Sequence, residues 1–190
     1  MSRPEWPALA ARGLHEDDHK LFWAAERTAK CLGIDTFDAH WRRLLTDPVT
    51  GNWYAVMQAA DDRRIGQIVQ LATDALDPDV LAVGPADALG MGPEYAAHHA
   101  LGFILQSLGR FPGRGWNLVR AGLRNPVVRV RNMAVKTLRD WPPSQWPAEA
   151  LQALTEAARD EPAGKTRQAM TQTLASAGHQ ISSQQSNPNQ

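Results

Sequence analysis

Asn125-Pro-Val-Val-Arg-Val-Arg-Asn-Met-Ala-Val-Lys-Thr-Leu-Arg-Asp-Trp141 reads as a turn followed by an amphipathic helix, and a weaker copy stands thirty-six residues further on. Leu118, Pro126, Arg131 and Leu138 map onto Leu154, Pro162, Arg167 and Leu174 at that one offset. A unit of helix, tight turn and helix recurring at such a period is the mark of an α-solenoid. On a wheel of 100° per residue, Val127, Val130, Ala134, Leu138 and Trp141 fall within about 40° of one line, a narrow stripe made to be buried. Asn125 is expected to cap this helix and Pro126 to take its first position, where no backbone donor is needed. Ala134, small and central, lets the preceding helix of about Trp116–Leu123 approach closely. The matching stripe of Ala163, Thr166, Met170, Leu174 and Ala177 is poorer in large apolar groups, as a terminal capping unit should be.

Outward from this pair, no segment alternates with period two over a convincing length, so the expected class is all-α, with about four to five antiparallel helix pairs in one domain over residues 1–180. The clearest repeats are 116–141 and 152–177. After a proline-containing lead, Leu21, Phe22, Ala25, Ala29 and Leu32 give a helix over about residues 16–32 that Gly33 can close. Thr36 can cap the next helix, with Phe37, Trp41 and Leu44, and further helices begin near Trp53 and after the acids Asp61 and Asp62. Residues 77–92 hold three acids, two prolines and three glycines with no basic residue, a long irregular connection with room for a short helical turn. Pro93 suits the first turn of a helix bearing Ala97, Leu101, Leu105 and Leu108. Residues 181–190 are polar with almost nothing to bury and read as a disordered tail. The short lead and the incomplete early repeats fit either a whole protein or the carboxy-terminal part of a longer solenoid.

Twenty basic side chains balance twenty acidic ones, which excludes the broad positive field of a general nucleic-acid or membrane-surface binder. No segment approaches the roughly 18 consecutive apolar residues of a membrane span, and the amino terminus lacks the apolar run of a signal peptide. The single Cys31 cannot form an internal disulfide and fits a buried small hydrophobe in a reducing compartment, so the cytoplasm is expected. Of the seven tryptophans, Trp23, Trp41, Trp53 and Trp141 are expected in the core, and Trp116 and Trp146 at inter-helix corners.

The residues of the second helix resemble the HEAT family of helical repeats. Pro126 takes the turn position, Val130 and Arg131 the Val-Arg pair, Ala134 the small central position and Leu138 the leucine. Pro162, Thr166, Arg167, Met170 and Leu174 match less closely, with threonine for valine and methionine for alanine. The resemblance covers about 70 residues by motif and the rest by architecture. It implies a curved protein-binding scaffold whose second helices line the concave face, and some helical-repeat relatives bind DNA. Leu89-Gly-Met-Gly-Pro-Glu94, Phe111-Pro-Gly-Arg-Gly-Trp116 and the Asn125 helix are also similar to a group of bacterial HEAT-type proteins, some of them labelled limonene hydroxylase. The sequence has no haem-thiolate setting around Cys31, no dinucleotide-binding glycine fingerprint after a strand and no iron ligand set to support that chemistry. No cofactor is expected.

His15-Glu-Asp-Asp-His19 fits the H-E-x-x-H pattern, which on a helix puts two imidazoles on one face to hold zinc. Two aspartates at its centre would be costly to bury, and the plainer reading is an acid-rich helix start complementing the dipole. His15 and His19 are thus weak metal candidates, with His40 the third ligand in reach. His98 and His99, being adjacent, point to different faces. Between Gly109 and Arg139 stand eight basic residues and no acid. Arg129, Asn132, Lys136 and Arg139 lie together opposite the buried stripe, while Arg131 sits near the stripe and is expected to bond a neighbouring turn. Either the cations are a solvated face paired with nearby acids, or Arg114, Arg124, Arg129, Lys136 and Arg139 bind a partner. The leading expectation is a non-enzymatic scaffold for another protein with an acidic segment. The alternatives are a nucleic-acid binder, including a DNA-repair type, and a metal or redox enzyme.

Overall fold

The computed structural model describes residues 4–185, and their side chains up to residue 180. The described residues are all helix and connection, in eleven α-helices: α1 (Trp6–Gly13), α2 (His19–Cys31), α3 (Phe37–Thr46), α4 (Trp53–Gln58), α5 (Ile65–Leu76), α6 (Pro78–Leu81), α7 (Ala96–Leu108), α8 (Trp116–Leu123), α9 (Val128–Asp140), α10 (Ala150–Asp160) and α11 (Gly164–Gln185). Short 3-10 turns precede α7 at Pro93–Tyr95 and follow α9 at Pro143–Gln145. The helix α11 runs through Gln185, into the stretch that the sequence presents as a tail. Residues 186–190, the rest of that expectation, lie outside the described residues.

The helix contacts fall into two rows. In one, α4 meets α7, α7 meets α9, and α9 meets α11; in the other, α5 meets α8 and α8 meets α10. The hairpins α8–α9 and α10–α11 tie the rows together. Every member of the expected α9 stripe is buried, Val127, Val130, Ala134, Leu138 and Trp141 being at most 2% exposed. The close approach at Ala134 is also present. A Cβ added to Gly122 of α8 would lie 2.9 Å from the Ala134 Cβ and 2.5 Å from a Leu105 methyl.

Several boundaries differ from the sequence reading. The lead contains a helix, α1, with Pro7 in its first turn; eight residues are too few for apolar periodicity to register. The next helix starts at His19, because the Asp18 carboxylate accepts from the amides of Lys20 and Leu21. Cys31 is exposed: it lies about 180° around α2 from Phe22, the centre of the buried face. Thr36 occupies its expected cap position without a side-chain bond, and Asp35 Oδ1 accepts from the Phe37 amide instead. Asn125 does not cap α9 directly. Its Oδ1 accepts from the Val127 amide at 3.0 Å, two residues on, and the helix begins at Val128, after Pro126 instead of on it.

That displacement matters because Asn125 is fully buried and holds the irregular segment before α7. Its Nδ2 donates to the Leu81 carbonyl at 3.2 Å and to His98 Nδ1 at 2.9 Å. The Gly84 amide donates to the Arg124 carbonyl, and a parallel bridge pairs Ala88 with Val127. At Gly90 the backbone turns with φ 71° directly over Val127, whose Cγ1 would be 2.8 Å from a Cβ there. Only glycine fits. The chain between α6 and α7 is therefore stapled to the α8–α9 turn along most of its length.

Candidate partner-binding surface

Arg131, in the first turn of α9, reaches back into the α8–α9 connection. Its side chain is fully buried. Nε and Nη2 donate to the two carboxylate oxygens of Glu161 at 2.6 and 2.7 Å, and Nη1 donates to the carbonyls of Asn125, Ala86 and Pro126 at 2.7, 2.8 and 2.9 Å. Glu161, also buried, accepts in turn from the Ala163 amide at 2.9 Å. One guanidinium thus joins its own turn, the 77–92 segment and the turn of the next pair, using the planar fork that lysine lacks. Thirty-six residues on, Arg167 Nη1 donates to the Glu161 carbonyl at 3.2 Å, the counterpart of the Arg131 bond to Asn125. The repeat is thus a repetition of hydrogen bonds as well as of letters. Arg131 is structural, as expected from its place on the wheel.

The remaining cations are exposed but do not form one cluster. Lys136 pairs with Asp140 one turn along α9. The Arg129 guanidinium stands 5.4 Å from the Phe103 ring centroid on α7, a cation–π contact, with no carboxylate partner among the described residues. Phe103 in turn meets Tyr54 of α4 edge-on at 6.2 Å between centroids. Arg124 lies elsewhere, in a cleft of about 480 Å³ beside α6, α8 and α10 where Arg120, Arg124 and Arg159 face Asp79, Glu156 and Asp160. The Asp160 carboxyl is held below its ordinary value, chiefly by the Arg159 hydrogen bond and further by the Arg124 charge. Charges balance there, as the solvated-face reading expects, and Asp79 of the acidic segment pairs with Arg120 at 3.7 Å. Arg139 borders a wider cleft between the end of α9 and α11, near Trp146. Arg114 sits in the exposed turn before α8. Of the five expected contact residues, only Arg129, Lys136 and Arg139 share an element.

The histidine motif is split by the start of α2. His15 lies in the turn before the helix and His19 is its first residue, so the two imidazoles do not share a helix face. His19 Nε2 accepts from the Trp23 indole. Arg43 of α3 holds the intervening turn by donating to the Glu16 and Asp17 carbonyls at 2.6 and 3.2 Å. His40 is occupied otherwise, 3.2 Å from Glu26 in a buried pair beside Phe22. Among the described residues, no three His, Cys, Asp or Glu side chains are grouped to hold a metal ion, and no helix is long and apolar enough to cross a membrane.

No protein-family model, curated protein or solved structure matches the chain. The functional reading therefore rests on the side chains themselves. Sequence reasoning misses Tyr54 and Phe103 as surface groups. Phe103, half-buried, lies about 155° around the wheel from the stripe of Ala97, Leu101, Leu105 and Leu108, a signal that it sits off the buried face; its alignment with Tyr54 comes only from the packing of α4 against α7.

Burial holds His40 below the ordinary histidine value of 6.5, outweighing the opposing pull of Glu26; burial likewise lowers His98. Both groups bind protons more readily unfolded than folded, so their contribution to stability is complete above about pH 6.5 and is lost as pH falls toward their folded values. Urea unfolding is expected to show stability declining from pH 7 to pH 5. His40→Gln should flatten that slope; an unchanged slope would remove His40 as its source.

Proposed function

We propose that the chain is a HEAT-like α-solenoid acting as a non-enzymatic scaffold, with a protein bearing an acidic segment as its partner. The two rows of helices, the α8–α9 and α10–α11 hairpins and the repeated arginine-to-turn bond support the architecture. The observation that carries the function is Arg129, exposed on the row formed by α4, α7, α9 and α11, set against the Phe103 ring and lacking an acidic partner among the described residues. A cation that the fold leaves uncompensated is available to an incoming carboxylate. Arg139 on the same helix extends that field, while Lys136, already paired, adds less. The cytoplasm is the compartment proposed, and no cofactor is part of the reading.

The test is affinity capture from lysate with the wild type and with Arg129→Glu/Lys136→Glu. Proteins that no longer bind the reversed variant should carry acidic segments, and identical sets of captured proteins would sink the cationic-face assignment. Nucleic-acid binding is separated by salt: every phosphate that a reversed cation ceases to neutralise lowers the slope of log affinity against log salt by about 1. A single-stranded oligonucleotide bound with such a slope, and released by the reversal, would replace the protein-scaffold reading.

A further inference from the structure

Leu89 and Met91 are 81% and 76% exposed, the two most exposed large apolar side chains among the described residues. They stand on a segment that is firmly held. Their neighbour Ala88 is bridged to Val127, and the Gly90 carbonyl between them accepts from His99 Nε2 at 2.6 Å. Arg131 fixes Ala86 from below. Such a loop is already ordered before any partner arrives, and its two apolar tips contribute nothing to the core. His99 is one helical turn before Phe103 on the same face of α7, about 6 Å along the axis. The backbone between the tips is thus anchored one helical turn from Phe103, whose ring carries the Arg129 guanidinium and meets Tyr54, itself 45% exposed.

We infer that Leu89, Met91, Phe103, Tyr54 and Arg129 form one docking strip for a protein segment that carries a carboxylate beside bulky apolar side chains. The inference deepens the scaffold reading and rests on it. The occupant follows from charge and surface type. Arg129 is the cation in the strip and has no ion-paired acid among the described residues, which calls for a carboxylate at the Phe103 end, while the exposed Asp87 and Glu94 beside the tips leave the apolar groups of the occupant to Leu89 and Met91. Two aliphatic tips and two rings call for bulky apolar groups, the anchor type that dominates protein interfaces. A nucleic-acid backbone would find one unpaired arginine and two aliphatic side chains that neither stack nor bond to phosphate.

The full chain, used as bait for a displayed random-peptide library, should enrich peptides in which Asp or Glu lies within a few residues of Leu, Phe, Tyr or Trp. A synthetic copy of the leading peptide, followed by fluorescence anisotropy, should bind about tenfold more weakly to Leu89→Ser, Met91→Ser and Arg129→Glu. These side chains are exposed, so circular dichroism should be unchanged. Leu151→Ser, at an exposed apolar position on α10 in the other row, should bind like the wild type. Enriched peptides that lack acids, or that bind all four variants equally, would overturn the strip while leaving the scaffold reading standing. No enrichment at all would overturn both. A dimer in sedimentation that Leu89→Ser dissociates would assign the strip to a second copy of this chain and overturn the acidic segment.

Discussion

Arg131→Met is expected to cost about 3–5 kcal/mol of unfolding free energy, because it leaves the Glu161 carboxylate buried without its counter-charge. The damage is not confined to the ion pair. Three carbonyls, of Ala86, Asn125 and Pro126, are deprived of their donor at the same time, and a buried acceptor left unpaired is itself destabilising. This dictates the behaviour of the double variant. In an isolated buried pair, replacing both partners by apolar groups is often neutral; here Arg131→Met/Glu161→Met should recover part of the single-variant deficit and stay below the wild type. Arg131→Lys should fail nearly as badly, since one ammonium cannot span a bidentate carboxylate and three carbonyls. Urea denaturation of the four proteins checks the order. A cost under about 1 kcal/mol for Arg131→Met would place the pair among weak surface bridges and contradict its burial.

The same residue shows how far the sequence can be read. Arg131 falls near the apolar stripe on a wheel, so its structural role is legible from helical geometry, and the stripe's burial follows from spacing alone. Its partner is not legible. Glu161 is thirty residues away, and nothing local to either residue announces the pairing. Asn125 fails as a direct cap because its Oδ1 is spent on the Val127 amide, in an orientation fixed by the Nδ2 bonds to Leu81 and His98, contacts made only once the 77–92 segment folds back on the turn. The helix α1 is invisible in the sequence because eight residues with two nearby prolines carry too little period. Composition alone places Cys31 in the core, where its position opposite Phe22 on the wheel is the better guide. For the candidate surface, the cations are readable as a charge run, but their division between two clefts and one helix face is a property of packing. Exposure of Leu89 and Met91 is likewise tertiary, set by which way a stapled loop turns.

Ala134→Met tests whether the two clear repeats are interchangeable in space as they are in pattern. Met170 takes the matching position in α11 and is fully buried, so a methionine is compatible with the motif itself. At the thirty-six-residue offset Gly122 of α8 corresponds to Ala158 of α10, and the first hairpin is closed down to the limit of a glycine. With the Ala134 Cβ only 2.9 Å from where a Gly122 Cβ would stand, three further heavy atoms at residue 134 must displace α8 or force Leu105 out of its rotamer. Overpacking of this kind costs about 2–3 kcal/mol, or a fall in Tm of about 5–10 °C for a chain of this length. Copying both residues of the second pair, Gly122→Ala/Ala134→Met, should cost more than either change alone. The helix propensity gained by replacing glycine, about 1 kcal/mol, is smaller than the added clash between two Cβ positions that cannot move without their backbones. A double variant as stable as the wild type would mean that the α8–α9 spacing adjusts freely. The tight contact at Ala134 would then be a consequence of the small residues, not the restraint that sets the hairpin's separation.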